Sequence, residues 1–118
     1  MITIKISKDF RYAPGPRLIR EGINSGQEFR EKILRDAVRK AIANNEKLVV
    51  DLDGTAGYGR SFLEEAFGGL IREDRIPYAD IVRVLTIVSN DQPSQTERIM
   101  DYLRKAHEKD QRQVVSTS

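Results

Sequence analysis

Two aspartates follow an apolar segment in the middle of the chain. Residues 48–55 have the sequence LVVDLDGT, so Asp51 and Asp53 lie two positions apart at the end of a predicted strand. Side chains two positions apart on a strand point to the same face, whereas Leu52 points the other way. Paired carboxylates at a strand end are suited to attack on phosphate or to binding Mg²⁺. The simpler alternative is that both end the strand and accept hydrogen bonds from amides of the Asp-Gly turn.

The same stretch resembles the first motif of haloacid-dehalogenase-type phosphatases, in which the first Asp is the nucleophile and the second a general acid. The segment LTIVSN, residues 85–90, is similar to the second motif of that family. The resemblance implies a small Mg²⁺-dependent phosphatase that uses Asp51 and Asp53. In such an enzyme Ser89 would hold a phosphoryl oxygen and Lys105 would neutralise charge.

The phosphatase family completes its magnesium site with a further acidic pair at the end of another strand. After residue 90 only a predicted helix and a polar tail remain, and Asp101 and Asp110 belong to these. Two carboxylates without further ligands make a poor magnesium site. The phosphatase is therefore kept as an alternative interpretation.

Composition excludes several other classes of protein. The 118 residues contain no Cys and one His, which excludes disulfides, thiolate zinc sites and a Cys nucleophile and makes a metal site improbable. The 20 basic and 18 acidic residues are interleaved, so the net charge of +2 does not indicate nucleic-acid binding. No signal core or apolar stretch of roughly 18 residues is present, and we expect a cytoplasmic protein with no membrane partner. No pattern indicates a cofactor.

Hydrophobic periodicity predicts alternating helices and strands within one domain over residues 1–110, followed by a disordered tail over residues 111–118. Helices are predicted over residues 25–44, 61–73 and 94–109, and strands over residues 2–6, 47–52 and 81–89. A short strand is also considered around residues 17–20. This alternation predicts an α/β fold with a mixed, mostly parallel sheet and three main helices. The first strand is expected at an antiparallel edge.

Each predicted helix begins with Ser-x-x-Glu. The three serines are Ser25, Ser61 and Ser94. In this capping box the Ser hydroxyl accepts a hydrogen bond from the third helical N–H, and the Glu side chain reaches back to the Ser N–H. A purely structural role is therefore the simplest interpretation of each serine.

The chain from about residue 9 to residue 106 resembles STAS domains (sulfate transporter and anti-sigma-factor antagonist). It is most similar to the STAS-like domain family of unknown function. The matching segments are SGQEFRE at residues 25–31, VVDLDG at residues 49–54 and, most specifically, SFLEEAFGGL at residues 61–70. The resemblance implies a STAS-like α/β fold.

Similarity to anti-sigma-factor antagonists implies a non-catalytic regulatory protein. Such proteins bind a GHKL-type ATPase that serves as anti-sigma factor and serine kinase, and phosphorylation of a STAS serine ends that association. Alignment of the motifs places this serine at Ser61. Gly59, Arg60 and Phe62 stand where the antagonists have Asp, Ser and Gly. Ser61 is therefore considered as a helix cap, as a partner contact and as a possible phosphorylation site.

We expect the partner to contact the start of the second helix. Exposed Tyr and Arg are favoured at interfaces, and the expected contact residues are Tyr58, Gly59, Arg60, Ser61, Phe62 and Glu65. Glu65 is expected to be solvated. A homo-oligomeric structural module, including a homodimer, is the third hypothesis.

Two consecutive glycines lie inside the second predicted helix. Gly68 and Gly69 should together cost about 2 kcal/mol relative to Ala in a helix interior. Close packing of the helix backbone on the sheet is the expected compensation, with a kink or a partner contact as the alternatives.

Overall fold

A three-stranded parallel sheet lies at the centre of the protein. The computed structural model describes the backbone of residues 1–117 and the side chains up to residue 112. The strands are β1 (Ile2–Lys5), β2 (Leu48–Asp51) and β3 (Leu85–Val88), in the order β1-β2-β3. Leu48 pairs with Ile2 on one side and with Leu85 on the other. The predicted α/β class is confirmed, and every predicted strand contains a strand of the structure.

The prediction that the first strand is antiparallel was wrong. β1 pairs with β2 in parallel, in a register that joins Lys5 to Asp51. The long helical connection between these strands explains the direction, because a crossover of this kind returns the chain to the same end of the sheet. The carboxyl ends of β1 and β2 therefore lie side by side at one end of the sheet, where Lys5 and the two aspartates lie together.

Four helices accompany the sheet within the described part of the chain. They are α1 (residues 26–43), α2 (residues 60–72), α3 (Tyr78–Val84) and α4 (Ser94–Thr117). Both α1 and α2 contain a central π-helical turn, Arg30–Leu34 in α1 and Glu64–Gly68 in α2. A π-helical turn Ile6–Phe10 follows β1, and a short 3₁₀ helix Ile19–Glu21 lies in the following loop.

Helix α3 occupies half of a segment that was predicted to be a strand. Residues 81–84 are helical and only Leu85–Val88 form a strand. Ile81 and Val84 are buried while Val82 is exposed, which is the pattern of a helix face. A short apolar run does not distinguish a buried strand from a helix, and Pro77 just before the helix was the signal that the prediction missed.

Two other sequence-based boundaries also differ from the structure. The strand considered around residues 17–20 is wrong, because Ile19–Glu21 form a 3₁₀ helix. Helix α4 continues to Thr117 instead of ending near residue 109, so most of the predicted tail at residues 111–118 is helical. Residue 118 lies outside the described residues.

The core joins the sheet to the helices through large apolar side chains. An aromatic cluster of Phe10, Phe29 and Phe62 lies in it, with ring centroids 5.3 Å apart for Phe10–Phe29 and 6.0 Å for Phe29–Phe62. Phe29 and Phe62 are fully buried. Because they belong to α1 and α2, the cluster holds the starts of these two helices together. None of the described helices combines the length and the apolar character needed to cross a membrane.

Candidate functional site

The paired aspartates at the end of β2 organise the turn that follows. Asp51 accepts a hydrogen bond from the backbone N–H of Asp53 at 2.9 Å, and its other oxygen lies 3.3 Å from Lys5 Nζ. Asp53 accepts from the backbone N–H groups of Asn90 at 3.1 Å and Asp91 at 2.8 Å. The structure therefore supports the simpler of the two sequence-based interpretations, in which these carboxylates bind turn amides.

The electrostatics of the turn agree with this structural role. Hydrogen bonds from the backbone N–H of Asp91 and Asn90 lower the pKa of Asp53 below its ordinary value, although burial opposes the change. Asp53 is consequently an acceptor that keeps its charge. Ser89, the candidate phosphate ligand, donates its hydroxyl hydrogen to Gln92 O at 2.6 Å. In the described chain no three His, Cys, Asp or Glu side chains converge as a metal site would require.

The start of α2 differs from the predicted capping box. The N-cap is Gly59, no side chain caps this end, and Ser61 is the second residue of the helix. The prediction for Ser25 is confirmed in its first half: the buried Ser25 Oγ accepts from the N–H of Glu28 at 3.0 Å. Helix α4 begins at Ser94 itself, so Ser94 does not precede the helix as a cap would.

The six residues predicted to contact a partner have very different exposures. Gly59 and Arg60 are exposed, and Ser61 is half-buried. Tyr58 is also half-buried, and its hydroxyl donates to Leu52 O at 2.8 Å. Burial raises the pKa of Tyr58 to about 12, so the phenol keeps this donor proton at neutral pH.

Phe62 and Glu65, the other two predicted contact residues, are buried. Phe62 has no exposed surface and packs 5.8 Å from the ring of Tyr58, measured between centroids. Glu65 is only 5% exposed, so the expectation that it is solvated was wrong. Both side chains therefore lie in the interior beneath the start of α2. The accessible part of the predicted contact set is therefore Gly59 and Arg60, together with the half-buried Tyr58 and Ser61.

Glu65 belongs to a buried ionic cluster between α1 and α2. Arg30, which is 3% exposed, donates from Nη2 to Glu65 Oε2 at 3.0 Å and from Nη1 to both oxygens of Asp74 at 2.8 Å. Burial alone would lower the pKa of Arg30, but hydrogen bonds to Asp74 and Glu65 and their charges raise it. The guanidinium therefore remains charged inside the protein.

A second, more accessible layer of ion pairs adjoins this cluster. Glu64 accepts from Arg17 and from Arg72, whose Nη1 lies 2.8 Å from Glu64 Oε2. Arg72 also lies 3.3 Å from Glu65, which joins the two layers. Burial disfavours the charged form of Glu64, yet hydrogen bonds from Arg72 and Arg17 and their charges lower its pKa overall. The loop that carries Arg17 is thereby fixed to α2.

The paired glycines of α2 make room for these charged groups. A Cβ added to Gly69 would lie 2.5 Å from Arg30 Nε and 2.9 Å from its Cδ, and one added to Gly68 would collide with a Glu64 oxygen. The prediction that this helix packs closely on the sheet at these glycines was wrong. The contact is with the Arg30 side chain from α1 and with Glu64, and not with the sheet.

A cleft of about 400 Å³ lies between the start of α2 and helix α4. Arg60, Ser61 and Glu64 of α2 form one side, and Arg17 comes from the preceding loop. The side formed by α4 consists of Arg98, Asp101, Tyr102 and Lys105. Arg60 and Ser61, two residues of the predicted contact set, therefore line this cleft.

Part of this chain matches a known protein family. Residues 25–95, more than half of the chain, match the family model described as a STAS-like domain of unknown function. The chain belongs to this STAS-like family. Neither the curated proteins nor the solved structures contain a match to it.

The region matched to the STAS-like family covers the buried ionic cluster but only half of the cleft. Arg30, Glu65 and Asp74 all lie within residues 25–95. The α2 side of the cleft is also inside the match. Arg17 precedes the match, and the α4 residues of the cleft follow it. The charge of the cleft therefore depends partly on residues outside the segment that defines the family membership.

Sequence analysis missed the buried ionic cluster. Its members are separated by 35 and 44 positions in the chain, and no local pattern links them. One signal was present, because Gly68 and Gly69 follow Glu64 and Glu65 at a spacing of four residues. Two glycines one turn after two acids in a helix indicate that bulky partners of those acids need space against the helix backbone.

Proposed function

We propose that this STAS-like domain is a non-catalytic regulatory module that binds a protein partner through the start of α2. The observation that carries the proposal is the exposed Arg60 beside Ser61, on a helix end whose next residue, Phe62, is fully buried. A rigid, cationic helix end of this kind can bind a partner without first becoming ordered, which lowers the cost of association. Arg is also among the residues enriched at the centres of interfaces.

The nature of the partner is proposed from the family resemblance. Similarity to anti-sigma-factor antagonists favours a GHKL-type ATPase that acts as an anti-sigma-like serine kinase. Ser61 would then be the modified residue. A phosphate on Ser61 would add about −1.5 to −2 charges in the first turn of α2, beside Arg60, where negative charge is favoured. Modification would change the exposed surface and leave the fold intact.

Co-purification with a GHKL-type ATPase tests the proposed surface. Arg60→Glu should abolish capture of the ATPase while the variant keeps the melting temperature of the wild type. Lys40→Glu is the matched control, because Lys40 is an exposed cation on α1, away from the α2 start. Capture that survives in Arg60→Glu, or is lost equally in Lys40→Glu, would remove the proposed surface.

The non-catalytic part of the proposal has a separate test. Hydrolysis of a generic aryl phosphate is measured with and without Mg²⁺. We expect no activity above background, because Asp51 and Asp53 are engaged by Lys5 and by backbone N–H groups. Mg²⁺-dependent hydrolysis that disappears in Asp51→Asn would replace the binding module with a phosphatase.

A further inference from the structure

The cleft between α2 and α4 has more cationic than acidic side chains. Its lining contains Arg17, Arg60, Arg98 and Lys105 against Glu64 and Asp101. Both acids are already neutralised inside the protein. Glu64 is paired with Arg17 and Arg72, and Asp101 with Lys105 at 2.9 Å and with Arg104.

Two guanidinium groups of the cleft are left over from this pairing. Arg60 and Arg98 are both exposed, and neither forms an ion pair within the described residues. Arg60 belongs to α2 and Arg98 to α4, so they stand on opposite walls of the same cleft. Because Glu65 is buried, no unpaired acid remains beside Arg60 to balance its charge. The lining of the cleft therefore carries an excess of positive charge, which favours an anionic partner.

From this arrangement we infer that the cleft binds an acidic segment of a protein partner, with Arg60 and Arg98 each pairing a carboxylate. The inference rests on the proposed function and specifies the chemistry of the partner. Arg matches a carboxylate through two parallel N–H···O bonds. The half-buried Tyr102 on the α4 wall offers an aromatic surface to the methylene groups of Glu or Asp. The Ser61 hydroxyl supplies one further donor.

A nucleic acid fits this site less well than an acidic peptide. Binding a phosphate backbone requires a row of cations that neutralises several successive phosphates. Of the four cations that line the cleft, two are already occupied by its own acids. A pair of free guanidiniums on facing walls instead suits two carboxylates of one short segment.

The test measures binding of a fluorescein-labelled peptide of Glu and Ser residues to the full chain by fluorescence anisotropy. A peptide of the same length with Gln in place of Glu is the reference probe. We expect the Glu peptide to bind at least about tenfold more tightly than the Gln peptide, with an affinity that falls as salt is raised. Arg60→Glu and Arg98→Glu should each weaken binding by at least about tenfold.

Two control variants separate the cleft from general charge effects. Arg112→Glu changes an exposed cation farther along α4, and Lys40→Glu changes one on α1. Both should bind the Glu peptide as the wild type does, and Arg98→Lys should keep more affinity than Arg98→Glu. Equal loss in the controls, equal binding of the Gln peptide, or no binding of the Glu peptide up to about 1 mM would overturn the inference. Tighter binding of a single-stranded oligonucleotide at the same salt would do so as well.

The inference and the proposed function can fail separately. Loss of ATPase capture in Arg60→Glu but full capture in Arg98→Glu would keep the α2 surface and overturn the two-walled acidic site. Acidic-peptide binding that depends on both arginines, with ATPase capture unaffected by either, would support the site and overturn the proposed partner surface.

Discussion

Helix α2 places charged residues in two opposite environments. At its exposed start Arg60 has no ion-pair partner among the described residues, whereas one turn later the buried Glu65 contacts Arg30 at 3.0 Å. An exposed charge costs little to keep and stays free to bind another molecule. A buried charge loses its hydration and must be compensated within the protein.

This difference separates residues that hold the fold from residues that are free for recognition. Arg30 forms hydrogen bonds with both Glu65 and Asp74, so it connects α1 to the middle of α2 and to the turn that follows α2. Within the described residues, Arg60 forms no ion pair that connects two elements of the fold. Substitutions in the buried ionic cluster should therefore change stability, and substitutions at the α2 start should change binding.

The largest effect is expected from breaking the buried pair. Glu65→Ala removes one of the two carboxylates that compensate the buried Arg30 and leaves its Nη2 without its hydrogen-bond acceptor, which should reduce the free energy of unfolding by about 3 kcal/mol. Arg60→Ala should change it by less than about 0.5 kcal/mol, because no described contact is lost. Urea denaturation of both variants measures the difference. Similar losses in the two variants would contradict the assignment of separate roles.

A smaller loss is expected where the paired glycines make room for the charges. Gly69→Ala should destabilise by about 1–3 kcal/mol, although Ala favours a helix, because its Cβ would lie 2.5 Å from Arg30 Nε in the packed interior. Gly68→Ala meets the end of the Glu64 side chain, which is 24% exposed and can move, so its effect should be smaller. Thermal unfolding compares the two variants. A more stable Gly69→Ala would show that Arg30 does not need this space.

The two serines with equivalent sequence motifs provide the next comparison. Ser25→Ala removes the buried acceptor for the N–H of Glu28 and should cost about 1 kcal/mol. Ser61→Ala should cost less than about 0.5 kcal/mol, because Ser61 lies inside the helix and the cap is Gly59. Equal losses, measured by denaturant titration, would restore the predicted capping box at Ser61.

The pH dependence of stability tests the role of the ion pairs that Glu64 forms with Arg17 and Arg72. Since the pKa of Glu64 is lower in the folded protein, its contribution to stability is present above the ordinary carboxyl pKa of about 4.3 and is lost as pH falls through the lower folded value. Glu64→Gln should therefore be less stable than the wild type at pH 7, and the difference should shrink in acid. Urea midpoints between about pH 7 and pH 2 test this. A constant difference would contradict it.

Much of the fold was predictable because it depends on local patterns. The apolar period of α1, the buried run of β2 and the Ser25 cap each involve residues within a few positions of one another. Prediction failed where one local pattern fits both a helix and a strand. The apolar segment at residues 81–88 is helical in its first half and extended in its second, and the change follows from packing that no short window contains.

The sequence predicted where the candidate site lies, but not which of its side chains are exposed. The motif SFLEEAFGGL correctly marked the start of α2, and residues 25–95 belong to the STAS-like family. Exposure was expected for Arg60, which is exposed, and for Glu65, which is buried; Phe62 is also buried, although it was included in the predicted contact set. Adjacent residues of a helix point in directions about 100° apart, and a partner helix decides which of these directions is buried.

The role of Asp51 and Asp53 was likewise predictable only in part. The apolar run before them was enough to place both carboxylates at the end of one strand, because a buried strand gives way to polar residues where the turn begins. The parallel pairing of β1 with β2 and the nearness of the turn after β3 then supplied Lys5 Nζ and the N–H groups of Asn90 and Asp91. Those partners come from segments about 40 residues away in the chain. Only the folded chain therefore brings them to Asp51 and Asp53 and gives the two carboxylates a structural role.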